Sequence, residues 1–251
     1  MIEIQLKKGK EKSLLRRHPW VYDTAVGRVA GKPDSGETVK VTAADGRFLG
    51  YGAYSPKSTL RVRMWSFDEA ENTEVPEFLR ARLEKAVKAR EGLLARTSAR
   101  RIVFGEADGI PGLIVDQYGD WLVTQFQSAG TERRRDEIVA DLMAMTGAKG
   151  LFDRSDAATR QREGLAVHTG VLAGEEPPEL IEVAEDGVKY GVNVRLGHKT
   201  GFYVDQRESR LAAQQLARDF EKTHGRKMRA LNCFCYTGGF SLALALGGAA
   251  E

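Results

Sequence analysis

Three of four strand-like runs in the first 65 residues alternate apolar and polar side chains with a period of two. Ile2, Ile4 and Leu6 alternate, Glu37–Thr42 places Val39 and Val41 on one face, and Arg47–Tyr54 and Leu60–Trp65 follow. That period puts successive side chains on opposite faces of a strand, so the spacing predicts short β-strands. Ala44-Asp45-Gly46 reads as a hairpin turn, because Asp-Gly tolerates the positive φ angles a tight connection needs. Gly50 and Gly52 mark bends or close backbone approach. Ser13–Ala25 accommodates a short helix or turn, interrupted at Pro19. So many short strands in so little chain predict a small β-barrel over residues 1–70.

Downstream the period changes. Residues 66–76 are polar and read as a linker. Phe78, Leu79, Leu83, Val87, Leu93 and Leu94 recur near 3.6 and predict a helix over Glu77–Ala95. Strands are predicted at Ile102–Phe104, Leu113–Asp116, Trp121–Gln127 and Lys149–Asp153. A helix is predicted at Thr131–Met145, with Gly147 at its stop. Residues 77–175 therefore read as a compact α+β unit. Leu180–Val183 and Val188–Val194 flank an Asp-Gly turn. A helix follows at Gln206–Phe220, then a strand at Met228–Cys235, a turn at Tyr236–Gly239 and a helix from Phe240. The class is a multi-domain α+β chain.

Composition narrows the function classes. Of 251 residues, 42% are hydrophobic and 29% charged, as in soluble globular proteins. Leu242–Leu246, the longest apolar run near the end, is too short to cross a bilayer, so no membrane partner is expected. The start of the chain lacks the charged head and apolar stretch of a secretory signal. Two cysteines, Cys233 and Cys235, make no disulfide framework, so a reducing cytoplasm is expected. Net charge is +3, but it is unevenly spread. Residues 1–65 hold 13 Lys+Arg against 6 Asp+Glu, and the remainder holds 25 against 29. A basic front on a mildly acidic body points to an anionic partner, most often nucleic acid; a solvated basic face is the bland alternative.

Two segments carry the chemistry. Ala230–Phe234, Cys235–Gly239 and Phe240 onward form a strand, a glycine-bearing loop and a helix. Glycines at such a junction let the backbone approach a ligand, and the helix start offers free N–H groups. No Gly-x-Gly-x-x-Gly and no Gly-Lys-Ser/Thr is present, which argues against a nicotinamide enzyme and a P-loop. The second segment, His198–Arg207, gathers cationic, hydroxyl, aromatic, carboxylate and amide groups around Gly201. Asp205 could simply cap the following helix. Cys233 and Cys235 lack partners for a zinc site; Cys233 is expected in the core, and His168 and His224 on the surface.

Lys199-Thr200-Gly201-Phe202-Tyr203-Val204-Asp205-Gln206-Arg207 followed by Leu231-Asn232-Cys233-Phe234-Cys235-Tyr236-Thr237-Gly238-Gly239-Phe240 resembles the RlmI-like family of bacterial methyltransferases. These act on large-subunit ribosomal RNA at cytosine C5 and depend on S-adenosylmethionine. Upstream, His18-Pro19-Trp20-Val21-Tyr22 is similar to the family's PUA signature. Residues 105–119 and Arg154-Ser155-Asp156 are similar to its central domain. The matches run in order along essentially the whole chain.

The resemblance implies three parts: a PUA-like RNA-binding domain at 1–70, a central α+β domain at 77–175, and the start of a Rossmann-like methyltransferase domain at 180–251. Ribosomal RNA would be the partner, with Arg16, Arg17, His18, Trp20 and Tyr22 as contacts; core packing is the alternative for Trp20 and Tyr22. S-adenosylmethionine would be the cofactor. It would be lined by Lys199, Thr200, Phe202, Asp205, Gln206 and Arg207 on one side and Asn232, Phe234, Thr237, Gly238 and Gly239 on the other. In the family a cysteine adds to cytosine C6 so that C5 becomes nucleophilic. That cysteine, a ribose-binding acid and an Asp-Pro-Pro-like motif lie further on in the family. The chain is thus expected to be a fragment without turnover, exposing Leu231, Phe234, Phe240, Leu242, Leu244 and Leu246. The alternative function is a non-enzymatic PUA-type RNA-binding protein. A homodimer is left open.

Overall fold

The computed structural model describes residues 1–155 and 157–250. They divide into two compact units, Met1–Phe202 and Tyr203–Glu251. Asp156, which belongs to one of the family-like motifs, lies outside the described residues. Among the described residues no helix is long and apolar enough to cross a membrane.

The first unit opens with β1 (Ile2–Leu6), α1 (Lys12–Leu15), β2 (Trp20–Tyr22), β3 (Val26–Ala30), β4 (Thr38–Thr42), β5 (Phe48–Tyr54) and β6 (Leu60–Ser66). They pair in the order β2-β6-β5-β4-β1-β3. The β1–β4 pair is parallel and the others are antiparallel. The period-two residues face one core, where Ile4, Leu6, Val39, Val41, Val62 and Met64 meet Leu14 of α1. Asp45-Gly46 forms the expected turn between β4 and β5, with Gly46 at φ 85°. Gly52 is a close approach, since a Cβ there would lie 2.6 Å from the Arg63 carbonyl of β6.

The rest of this unit comprises α2 (Pro76–Lys88), β7 (Ala99–Phe104), β8 (Leu113–Tyr118), β9 (Trp121–Phe126), α3 (Ala129–Arg133), α4 (Arg135–Thr146), β10 (Gly150–Ser155), α5 (Ala157–Glu163) and β11 (His168–Gly174). A hairpin follows, β12 (Ile181–Glu185) and β13 (Val188–Val192). The five-stranded sheet runs β11-β10-β9-β8-β7. Phe78, Leu79 and Leu83 of α2 and Ile138 and Leu142 of α4 bury against Ile102, Leu113, Val115, Leu122 and Phe126. The single helix read over 131–145 is interrupted at Arg134. Its guanidinium bonds to the carbonyls of Thr73 and Val75 and to Glu137, fixing the bend. Helix α2 ends at Lys88, and a 3-10 turn covers Glu91–Ala95. Strand β11 was not legible because its residues alternate poorly and lie partly exposed on the sheet edge.

One polar network ties the six-stranded sheet to the turn before β8 and to α5. Arg63 of β6, mostly buried, pairs with Glu163 at 3.0 Å and Glu106 at 3.1 Å. The buried Glu163 also accepts from the hydroxyls of Ser55 (2.8 Å) and Ser58 (2.7 Å). Trp20 donates its indole N–H to Glu106 at 2.7 Å. Ion pairs of this kind are destabilising when one partner is lost, because the remaining charge stays buried.

The second unit holds α6 (Arg207–His224) and α7 (Gly239–Leu246). They pack through small residues, Ala217 and Ala243, with Gly247 against the Gln214 carbonyl. The strand expected at Met228–Cys235 is absent: those residues run without ladder bonds. A strand needs a neighbour to satisfy its N–H and C=O groups, and the described residues of this unit offer none. Cys233, expected in the core, is exposed in consequence, as is Cys235. Leu231 is 89% exposed and Phe234 100%, and Leu242 and Leu246 are also exposed, whereas Phe240 and Leu244 are partly covered.

Replacing Glu163 by Ala should destabilise the first unit by about 3–5 kcal/mol, since Arg63 would remain buried and half-paired. Urea unfolding checks this. Glu163→Gln should recover part of the loss through its hydroxyl partners; equal stability of wild type and Glu163→Ala would contradict the account.

Candidate functional site

The basic front of the chain converges beside α1. Arg16 and Arg17 are exposed, and Arg17 sits just past the helix end at φ 59°. Glycine usually fills that position because a Cβ is strained there. His18 is exposed and meets Trp20 edge-on at 5.4 Å. Trp20 is half-buried, held by its bond to Glu106, while Tyr22 at the end of β2 is 46% exposed. The structure therefore brings His18 and Trp20 into contact and leaves Arg16 and Arg17 exposed just before them in the chain. Trp20 is neither a core residue nor a freely mobile platform.

The segment Lys199–Phe202 ends the first unit and is moored there. Thr200 is fully buried. Its hydroxyl donates to Asp116 Oδ2 at 2.5 Å and lies 2.8 Å from the Tyr118 hydroxyl. The Phe202 N–H donates to the same phenol oxygen at 3.2 Å, and the buried Phe202 ring lies 5.1 Å from Tyr190. Asp116 is completed by a two-point pair with Arg101 at 2.8 and 3.0 Å. Burial, then the nearby Asp116 charge, pushes the Tyr118 phenol well above its ordinary range. Thr200 and Phe202 thus have their groups engaged in packing, whereas Lys199 is exposed at φ 60°.

In the second unit two stretches meet. Asp205, Gln206 and Arg207 lead into α6. Asp205 is exposed and does not cap that helix: the N-cap position belongs to Gln206, and no side chain caps it. Arg207 is mostly buried and pairs with Glu208 at 3.2 Å. The Arg210 guanidinium donates to the Tyr203 carbonyl, and the Tyr203 ring meets Tyr236 edge-on at 5.5 Å. The bend before α7 is built from left-handed residues: Phe234 at φ 63°, Tyr236 at 49° and Gly238 at 75°. Alternating hands of this kind turn successive N–H groups toward one side, a concavity suited to negative charge. Nothing lies within 4 Å of a Cβ added to Gly238, whereas one on Gly239 would lie 3.0 Å from Arg210 Cδ. Phe234 and Thr237 are exposed, and Asn232 donates to the Ser241 hydroxyl at 2.9 Å. The bend is open rather than filled by its own side chains.

Two features escaped the sequence. His168, expected on the surface, is half-buried with Nδ1 2.9 Å from Asp153 Oδ2, and Ser155 donates to the other oxygen at 2.6 Å. These contacts join β10 to β11, whose register could not be read. His224 is exposed as expected. The second is a groove lined by Arg17, Phe48, Phe67 and Lys85.

Burial raises the Asp153 pKa above its ordinary 3.8. The folded state therefore holds that proton to higher pH than the unfolded chain does. Its contribution to stability should be full below about pH 3.8 and fall as pH rises through the raised value. Urea midpoints between pH 3 and 7 should show this slope in wild type and a weaker one in Asp153→Asn. Identical profiles would contradict the assignment.

Comparison with known proteins follows the same lines. A PUA-like domain family matches residues 4–67. The chain is 42% identical to ribosomal RNA large subunit methyltransferase I of Shigella boydii serotype 4, over 100% of the chain and 61% of that protein. The protein of that name from Photobacterium profundum is 46% identical over 99% of the chain and 61% of its own length. A solved Streptococcus mutans protein assigned as a SAM-dependent methyltransferase superposes with a TM-score of 0.78 at 23% identity, covering 100% of this chain and 62% of its own. A protein assigned as a methyltransferase, crystallised with SAH, gives 0.80 at 23% identity, covering 100% and 61%. The chain spans about three-fifths of the length of the curated relatives it matches. Along its whole length the chain is similar to proteins named ribosomal RNA large subunit methyltransferase I, and residues 4–67 match a PUA-like domain family.

Proposed function

We propose that the chain is the RNA-gripping and cofactor-approaching part of an S-adenosylmethionine-dependent methyltransferase acting on C5 of a cytosine in 23S ribosomal RNA. The single observation that carries this reading is the open left-handed bend at Phe234–Gly239, in a chain similar along 99–100% of its own length and 61% of theirs to relatives named as ribosomal RNA large subunit methyltransferases. Residues 1–70 serve as the RNA-binding domain, 77–175 as the connecting domain, and 180–251 as the beginning of the methyltransferase domain.

The bend fits a nucleoside carrying a carboxylate. Its N–H groups and the N-terminus of α7 favour negative charge, and Gly238 leaves room for backbone approach. In this reading Asn232, Phe234, Thr237, Gly238 and Gly239 hold the cofactor with Asp205, Gln206 and Arg207. Lys199 is exposed, and the buried Thr200 and Phe202 fix the turn that carries it. When bound, the cofactor supplies an electrophilic methyl group; the protein orients it and excludes water. Cys233 and Cys235 are assigned no nucleophilic role, because in this reading Cys235 belongs to the bend that holds the cofactor and Cys233 directly precedes it. Arg16 and Arg17 contact phosphates, and His18, Trp20 and Tyr22 offer stacking edges.

A non-enzymatic RNA-binding role is the second reading, favoured by the charge excess of residues 1–65. Calorimetric titration of SAH into the chain separates the two. The first reading predicts saturable binding, weakened about tenfold or more by Gly238→Val, since a β-branched residue is strained at φ 75°. No heat from SAH, with RNA affinity intact, would favour the second.

A further inference from the structure

A groove of about 910 Å³ opens in the first unit between the β5–β6 face and α2. Its walls combine two kinds of surface. Phe48 and Phe67, both partly exposed, and Pro19 and Pro111 give it flat apolar faces. Arg17 enters from the turn after α1 and Lys85 from α2. The groove also holds carboxylates, but the fold has already matched most of them. Glu69 pairs with Lys40, Glu71 with Arg82, Glu106 with Arg63, and Asp108 with Arg90. Among the described residues neither Arg17 nor Lys85 has an acidic partner within 4 Å. The positive charge available to a ligand is therefore theirs. Asp68 is the remaining groove carboxylate; one of its oxygens accepts from the Ala70 N–H.

Unpaired cations flanking flat apolar walls suit a ligand that is both anionic and planar. A phosphate would meet Arg17 and Lys85, a base would lie against Phe48 or Phe67, and a carboxylate rim can accept from an exocyclic amine. The backbone at Arg17 is consistent with such a task. A non-glycine residue is held left-handed there, which costs about 1–2 kcal/mol, and its backbone is fixed by a turn closed through Leu14 and Ser13. A duplex keeps its bases stacked and would present only phosphates to the groove.

We propose that this groove binds an unpaired ribonucleotide of the RNA, with its base on Phe48 and Phe67 and its phosphate between Arg17 and Lys85. The proposal rests on the RNA-binding reading above and adds a site contributed jointly by the front sheet and α2.

The test is fluorescence anisotropy of the full chain with a labelled 12-nucleotide single-stranded RNA and with a duplex of the same length, across a salt series. Lys85→Ala should weaken single-strand binding about three- to tenfold and lower the salt slope by about 0.7, the value for one lost phosphate contact. Phe48→Leu keeps the apolar volume and should weaken the single strand about fivefold or more without changing that slope. Duplex binding should change less than twofold in Phe48→Leu. Lys85 is exposed on a helix, so Lys85→Ala tests the site even if Phe48→Leu folds poorly. Unchanged single-strand affinity in the Lys85 variant, or equal losses for single strand and duplex in the Phe48 variant, overturns the proposal while RNA binding itself stands. No RNA affinity in the wild-type chain overturns the RNA reading along with it.

Discussion

Arg63 is the interaction on which the first unit depends. Its guanidinium leaves the front sheet and ends between Glu106, before β8, and Glu163, at the end of α5. Neither carboxylate belongs to the sheet that carries Arg63. A pair of this kind contributes little net stability against an apolar replacement, yet it enforces one arrangement, because every alternative strands a buried charge. Trp20 shares Glu106, so the same network sets the aromatic residue at the head of the basic front. The front sheet is thereby held in one orientation against the segments that carry Glu106 and Glu163.

A second anchor operates at the end of that unit. Asp116 and Tyr118 of β8 hold Thr200 and Phe202 through one continuous set of hydrogen bonds, closed on the far side by Arg101. Every polar atom in the set finds a partner, as low-dielectric surroundings require. The motif residues at 200 and 202 therefore act by fixing the backbone rather than by offering free groups. The bend at Phe234–Gly239 works the opposite way. Its side chains are exposed from Cys233 to Thr237, and its left-handed backbone leaves open space at Gly238.

The strand pattern of residues 1–66 was legible because one face is buried and the other wet, so that composition alternates with the pleat. The glycine requirement of the 44–46 turn and the close approach at Gly52 were legible for the same local reason. Helix α2 was readable from its apolar stripe, but its end was not, since Leu93 and Leu94 continue the period into a 3-10 turn. Long-range polar partnerships left no trace in the sequence. Glu163 with Arg63, Asp153 with His168 and Thr200 with Asp116 are joined only by the fold. The strand read at Met228–Cys235 failed because an apolar run specifies a strand only when a neighbour completes its ladder. Phe48, Phe67 and Lys85 escaped as candidates because each looks ordinary in its own element; only the packing of α2 beside β5 and β6 brings them to one groove.

Hydrogen–deuterium exchange of the full chain, free and with single-stranded RNA and SAH added separately, tests the account most directly. RNA is predicted to slow exchange around residues 14–22 and 80–88 and to leave the bend unchanged. SAH is predicted to slow exchange at 203–210 and 232–241 and to leave the front unchanged. Protection by both ligands at one shared site, or by neither at these segments, would contradict it.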